Sequence, residues 1–246
     1  MKIRFSTDAL VIKETAIGDN DRLLTLMTRD MGVIRAFAVG AKSVKSRRGS
    51  ATGLLAYSNF NIDKTGDTYK IVEASANKVF FGAGSDVVTL AVAQYFCELC
   101  AFFGPHDETA EEFLRVILNS LYYITEKKRD PVLIKAITEL RICALSGYSP
   151  SLIACADCGQ FEDKTMYFSF DNGSIYCENC KKPNCTALNL TVLKAMRHII
   201  YSKLENLYGF EIPDKDIKTL EKITERYLVF QSEHRFATLE FYHSVI

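Results

Sequence analysis

The chain has no net charge: thirty Lys and Arg are balanced by thirty Asp and Glu over 246 residues. A whole-molecule electrostatic pull toward nucleic acid or an anionic membrane is therefore excluded. There is no Gly-rich phosphate cradle, no GxSxG elbow and no HExxH pair, so no familiar motif for phosphoryl transfer, acyl transfer or metal-assisted hydrolysis is present. The four histidines, His106, His198, His234 and His243, are scattered and read as surface or core polar groups. Glu111 and Glu112 fall in the first turn of a helical pattern, where the macrodipole accounts for them. The opening "MKIRFSTDAL" lacks the apolar run of a signal peptide, which predicts a reducing cytoplasm where structural disulfides do not persist. The most apolar run, Val87 to Phe103, carries Gln94 and Glu98 at its centre and reads as a buried helix rather than a membrane span. Repeats and low-complexity tracts are also missing.

What is present divides into two kinds of periodicity. Across the first eighty residues, "TDALVIKET", "DRLLTLMTR", "GVIRAFAVG", "YSNFNIDKT" and "DTYKIVEAS" are β-branched or aromatic runs, most of them separated by Gly- or Asp-containing turns. Five strands with a longer connection between the third and fourth fit a small closed barrel of the OB type, with an SH3-like barrel as the main rival. Beyond Gly82 and Gly84 the period becomes helical. Three helices are expected: the apolar run, one opening on a Thr109–Glu112 capping box, and one with Asp130 as N-cap and Pro131 at its first position. Two further helical patterns cover about 191–207 and 214–234. The expected fold is α+β and multidomain: a five-stranded OB-type barrel over 1–80, then a mostly α-helical domain over 81–246 carrying an insert over 153–187.

That insert, "CADCGQFEDKTMYFSFDNGSIYCENCKKPNC", holds five of the eight cysteines. Cys155-x2-Cys158 and Cys177-x2-Cys180 have the spacing of a four-thiolate zinc site, and Asn172-Gly173 between alternating apolar residues is a hairpin signal that returns the second pair to the first. Four thiolates fill a tetrahedral ion, so the expected Zn2+ is structural and the layout is zinc-ribbon-like. Cys185 either replaces Cys180 or stands by as a free thiol. Cys97-x2-Cys100 lies on an apolar helical face without nearby cations and reads, like Cys143, as core packing.

Charge is unevenly distributed. Residues 1–80 carry thirteen Lys and Arg against eight Asp and Glu, and the remainder carries seventeen against twenty-two. "GAKSVKSRRGS", between the third and fourth strands, has four cations and no acid, which suits either a phosphate track or a solvated loop. Phe37, Tyr57, Phe60 and Tyr69 are the aromatics available to stack on bases, and each also fits a core position.

The stretches "DALVIKETAIGDNDRLLTLMTRDMGVIRAFAVGAKSVKSRRG", "ELRICALSGYSPSLIACADCG" and "FSFDNGSIYCENC", in this order, resemble the bacterial RecO family of recombination mediators over essentially the whole length. The resemblance implies an OB-fold, a helical domain and a zinc-binding insert. It implies a non-enzymatic, cytoplasmic, nucleoid-associated protein that binds single- and double-stranded DNA and anneals complementary strands. With RecR, such a protein loads RecA onto strands coated by single-stranded DNA-binding protein (SSB). Carried over to this chain, the DNA-binding residues are Arg22, Arg35, Lys42, Lys45, Arg47 and Arg48. Lys135 and Arg141 are the candidate cations to receive the acidic tail of SSB, and Arg141 fits equally well as a buried partner of a carboxylate. A zinc-stabilised interaction adapter with little DNA affinity is the alternative.

Overall fold

The computed structural model describes residues 2–41, 49–81 and 86–246. They form two compact units, Met1–Glu126 with Phe236–Ile246, and Lys127–Arg235.

The first unit is built on five strands, β1 (Lys2–Ile17), β2 (Asp21–Thr28), β3 (Gly32–Ala38), β4 (Ala56–Thr65) and β5 (Thr68–Val79). They close into a barrel in the order β1-β2-β3-β5-β4. All neighbours are antiparallel except β3 and β5, which pair in parallel at Ala36–Tyr69 and Phe37–Lys70. That closure is the OB-type order. Alternation sends Leu24, Leu26, Ile34, Ala36, Phe60, Ile62 and Ile71 into the barrel, and leaves Arg35 and Phe37 outside. Register shifts in β1 and β5 supply the bends a closed barrel needs.

Three helices complete this unit: α1 (Val87–Phe103), α2 (Glu111–Thr125) and α6 (Ala237–Val245), the last in a tail where no helix is expected from the sequence. Glu98, the charge inside the apolar run of α1, accepts hydrogen bonds from the backbone N–H groups of Ala237 (3.2 Å) and Thr238 (2.9 Å), so it caps the first turn of α6. The α2 N-cap is Ala110 rather than Thr109, whose hydroxyl instead donates to the Arg29 carbonyl at 3.3 Å. Gly32, at φ +65°, opens β3 where the α1–α2 connection crosses, and Val33 N–H donates to the Pro105 carbonyl at 2.8 Å. A Cβ on Gly32 would lie 1.9 Å from that carbonyl oxygen. Gly32→Ala is therefore expected to cost about 3 kcal/mol or more, read as a lower denaturant midpoint at unchanged m.

The second unit packs α3 (Pro131–Leu145), α4 (Leu190–Tyr201) and α5 (Asp214–Ser232) around a small sheet, β6 (Met166–Ser169), β7 (Ser174–Tyr176) and β8 (Thr186–Leu188), ordered β7-β6-β8 and antiparallel throughout. Asp130 and Asn189 cap α3 and α4 by accepting from Val132 N–H (2.8 Å) and Val192 N–H (2.9 Å). The sheet docks on α5 through the Phe168–Tyr227 edge contact, 5.4 Å between centroids, and through Gln231, which donates to the Phe170 carbonyl at 2.8 Å. Gly173 in the β6–β7 turn lies against Tyr227, whose hydroxyl a Cβ would meet at 2.5 Å, so the glycine of the Asn-Gly pair is needed for close approach as well as for its φ of +63°. No described helix is long and apolar enough to cross a membrane.

Candidate metal centre and nucleic-acid interface

The hairpin of β6 and β7 brings Cys177 and Cys180 back to Cys155 and Cys158, and all four Sγ atoms lie within 4.8 Å of one another. Cys185 is outside this group. Its N–H instead closes a turn onto the Lys182 carbonyl at 3.2 Å. Each pair sits on a tight turn, with Gly159 N–H donating to the Cys155 carbonyl (2.9 Å) and Cys180 N–H to the Cys177 carbonyl (3.1 Å). The first turn is tied to β7 by Ala156 N–H donating to the Ile175 carbonyl at 2.9 Å.

Four thiolates at about 2.3 Å from one ion stand about 3.8 Å apart, and Cys158 and Cys177 sulfurs are 3.6 Å apart. The electrostatics agree with that fit. Burial raises the Cys155 thiol, but backbone N–H groups of Cys158, Cys177 and Asp157 aimed at its sulfur outweigh burial and bring it down to about 6. The Cys180 thiol, sharing its proton first with Cys177 and then with the other sulfurs, is pushed up to about 12. Four sulfurs converging at this spacing are a ligand set for one divalent cation. The four cysteines can thus hold a metal ion.

The cage is fastened to α4 chiefly by Arg197, with the Tyr201 hydroxyl accepting from Leu152 N–H at 3.3 Å. Arg197 donates to the carbonyls of Leu152 (2.7 Å), Ile153 (2.8 Å) and Phe161 (2.8 Å), and to the Glu162 carboxylate (2.7 Å), with its guanidinium 4.3 Å from the centroid of the Phe161 ring. It closes both ends of the loop that carries Cys155 and Cys158. Sequence reasoning passed over Arg197, because its acceptors, three backbone carbonyls and the Glu162 carboxylate, lie more than thirty positions away. The other cysteines are chemically quiet: burial pushes Cys97 up to about 12 and raises Cys100 and Cys143 well above the ordinary thiol range.

On the barrel, the expected DNA-binding residues separate. Lys42, Lys45, Arg47 and Arg48 lie outside the described residues. Both roots of their segment are pinned by β2: Asp21 accepts from Gly40 N–H at 2.7 Å, and Arg22 donates to the Gly49 carbonyl (3.2 Å) and the Thr52 hydroxyl (3.0 Å), 3.7 Å from Glu14. Arg22 is only 19% exposed. It holds the returning loop rather than presenting an open charge. Arg35, by contrast, is exposed and borders a cleft of about 570 Å3 with Thr25, Lys64, Asp67, Tyr69 and His106. Register places Phe37 beside Lys70 on the same outer face, and Phe37 is 41% exposed. Phe60 and Tyr69 are buried in the barrel. The β3 alternation is the signal that distinguishes Phe37 from the core aromatics.

Lys135 and Arg141 do not offer surface charge. Lys135 is fully buried, with its Nζ 2.9 Å from Glu139, 3.2 Å from Glu221 and 2.5 Å from Glu225. Arg141, 9% exposed, donates to the Ile199 (3.3 Å) and Ile200 (2.8 Å) carbonyls, which satisfies the end of α4. The expectation that they receive a partner's acidic tail is corrected: α3 is wrapped by α4 and α5, and both cations serve the interior.

A family model described as Recombination protein O N terminal matches residues 1–80, and one described as Recombination protein O C terminal matches residues 84–240. The chain belongs to the RecO family. The DNA repair protein RecO of Acetivibrio thermocellus is 31% identical over 237 residues, covering 96% of this chain and 94% of that protein. Its counterparts in Caldicellulosiruptor bescii and Thermoanaerobacter sp. are 28% and 27% identical, each covering 96% of this chain and 96% and 95% of their own lengths. RecO membership places the chain in DNA repair and recombination.

Proposed function

We propose that this RecO chain is a non-enzymatic mediator that binds DNA on the outer face of its barrel, anneals complementary strands, and acts with RecR to bring RecA to SSB-coated single strands. One observation carries this reading: on β3 and β5, Arg35 and Lys70 flank an exposed Phe37, and neither cation has an ion-pair partner among the described residues. Cations neutralise phosphates while an aromatic face takes a base of any identity, which is what a strand-holding surface requires. The segment with Lys42, Lys45, Arg47 and Arg48, rooted beside this face at Gly40 and Gly49, would extend the track. In the division proposed here, residues 1–80 hold the strand, and the helical region 81–246 receives protein partners. The insert 153–187 is then a Zn2+-stabilised support, with Cys155, Cys158, Cys177 and Cys180 as ligands. The place of action is the cytoplasm, at the nucleoid.

Anisotropy of a labelled single strand across a salt series tests the reading. Phe37→Ala is expected to weaken binding by about 1–3 kcal/mol with little change in salt slope. Neutralising Lys45, Arg47 and Arg48 together should lower the slope by about 2. Unchanged affinity and slope in both variants would overturn the barrel face as the DNA site. The zero net charge favours a second reading, an adapter with little DNA affinity. It predicts partner binding without annealing.

A further inference from the structure

Helix α5 is segregated by charge. Three of its four acids are committed to the second unit's interior: Asp216 accepts from Asn189 at 2.8 Å, and Glu221 and Glu225 reach the buried Lys135; the fourth, Asp214, is exposed in the first turn. Its outer face carries Lys215, Lys218, Lys222 and Arg226, all exposed. These positions fall within one narrow stripe opposite the buried Ile217, Leu220, Thr224, Tyr227 and Leu228. None of the four makes an ion pair among the described residues, and Arg226 alone has a recorded contact, over the Phe170 ring at 4.1 Å.

Helix stability does not explain this stripe. Successive cations three or four residues apart repel one another, which costs a few tenths of a kcal/mol per pair. Lys215 also stands in the first turn, where the macrodipole favours acids. The stripe thus opposes the local preferences of the helix that bears it. From Lys215 to Arg226 it runs eleven residues, about 16 Å at 1.5 Å per residue, and its far end meets Val229 and Phe230, 36% and 47% exposed. A row of unpaired cations ending on an aromatic face matches a run of phosphates with a base to stack. It fits a compact acidic peptide less well, because Thr219 and the four cations form a ridge with no apolar anchor until the end.

We infer that the outward face of α5, through Lys215, Lys218, Lys222 and Arg226, is a second nucleic-acid-binding surface on the second unit, independent of the barrel face. This inference rests on the proposed DNA-binding function and deepens it: a molecule with one strand site on each unit can hold both partners of an annealing reaction.

The test uses the full chain with Lys215→Gln, Lys218→Gln and Lys222→Gln combined, and the triple Arg variant as the charge-preserving control. Unfolding should be unchanged or slightly improved, since like charges are removed. The Gln variant is expected to lose about 2 from the slope of log affinity against log salt for a single strand, and to anneal complementary oligonucleotides at least tenfold more slowly. The Arg variant should match the parent. Unchanged slope and annealing in the Gln variant, with a parent that binds and anneals, would overturn the α5 surface and leave the barrel reading standing. A parent that neither binds nor anneals would overturn both. If the Gln variant instead loses only a labelled Asp-rich peptide ending in Phe, the face serves a protein partner and the nucleic-acid assignment is wrong.

Discussion

Stripping the metal from the four-cysteine cage, or replacing Cys177 with Ser, is expected to unfold the ribbon over about 153–188, and to leave the strand binding proposed for the barrel largely in place. The three strands that frame the cage have four, three and three residues, too few for an independent sheet. Structural zinc contributes roughly 10–16 kcal/mol of folding free energy in small zinc domains, well above what the contacts of Met166, Phe168 and Ile175 supply. Once the cage opens, Arg197 keeps four acceptors on a loop that has lost its closure, and the Phe168–Tyr227 contact to α5 goes with the sheet. Metal analysis should find one zinc per chain. Hydrogen exchange after chelation under reducing conditions should show protection lost across β6, β7 and β8 and retained in β1 to β5. Retained protection at residues 155–180 in metal-free protein would show that the ribbon is held by packing alone.

Replacing Lys135 with Met should cost roughly 3–5 kcal/mol, because it leaves Glu139, Glu221 and Glu225 around an uncompensated interior. The penalty should depend on pH in a defined direction. Burial raises the Glu139 carboxyl to about 7 even with Lys135 beside it. Burial also works against the Lys135 charge, but Glu139, Glu225 and Glu221 outweigh it and hold its proton more tightly than usual. A carboxyl with a folded value above its unfolded value of 4.5 binds more protons when folded. Its contribution to stability is complete below about 4.5 and is lost as the pH rises through about 7. The parent should therefore gain stability from this group on acidification from 7 toward 5, and the Lys135→Met deficit should shrink over the same interval. Glu139→Gln should flatten that slope in the parent, and Lys135→Met combined with Glu139→Leu should recover part of the loss. Denaturant unfolding at pH 5, 6, 7 and 8 measures all of it. A deficit under 1 kcal/mol that ignores pH would show that the cluster is hydrated and carries no buried charge.

The features legible in the amino-acid order are those fixed by neighbours. Period-two alternation predicts the barrel strands because a pleated strand sends successive side chains to opposite faces, and the same rule, applied to "GVIRAFA", already turns Arg35 and Phe37 outward. Two-residue gaps between cysteines predict a thiolate cage because one tight turn brings both sulfurs to one ion. The barrel order, with β3 beside β5, was not legible in any single segment. It selects the OB-type closure over the SH3-like rival only when all five strands pair.

What tertiary structure alone decided concerns charges whose partners are distant in sequence. Lys135 reads as a surface cation on a helix and Arg141 as either that or a buried partner, and the chain returns as α4 and α5 to cover both. Arg22 reads as either a phosphate contact or a structural partner of Asp21 or a neighbouring strand, and only the fold shows that its partners are Gly49 and Thr52. Lys215, Lys218 and Lys222 look like ordinary members of a helix with as many acids. Only the burial of Lys135, about eighty residues earlier, draws Glu221 and Glu225 inward and leaves Lys215, Lys218 and Lys222 facing water without ion-pair partners among the described residues. Spacing determines which side chains share a face, and packing determines which charges on that face are already neutralised.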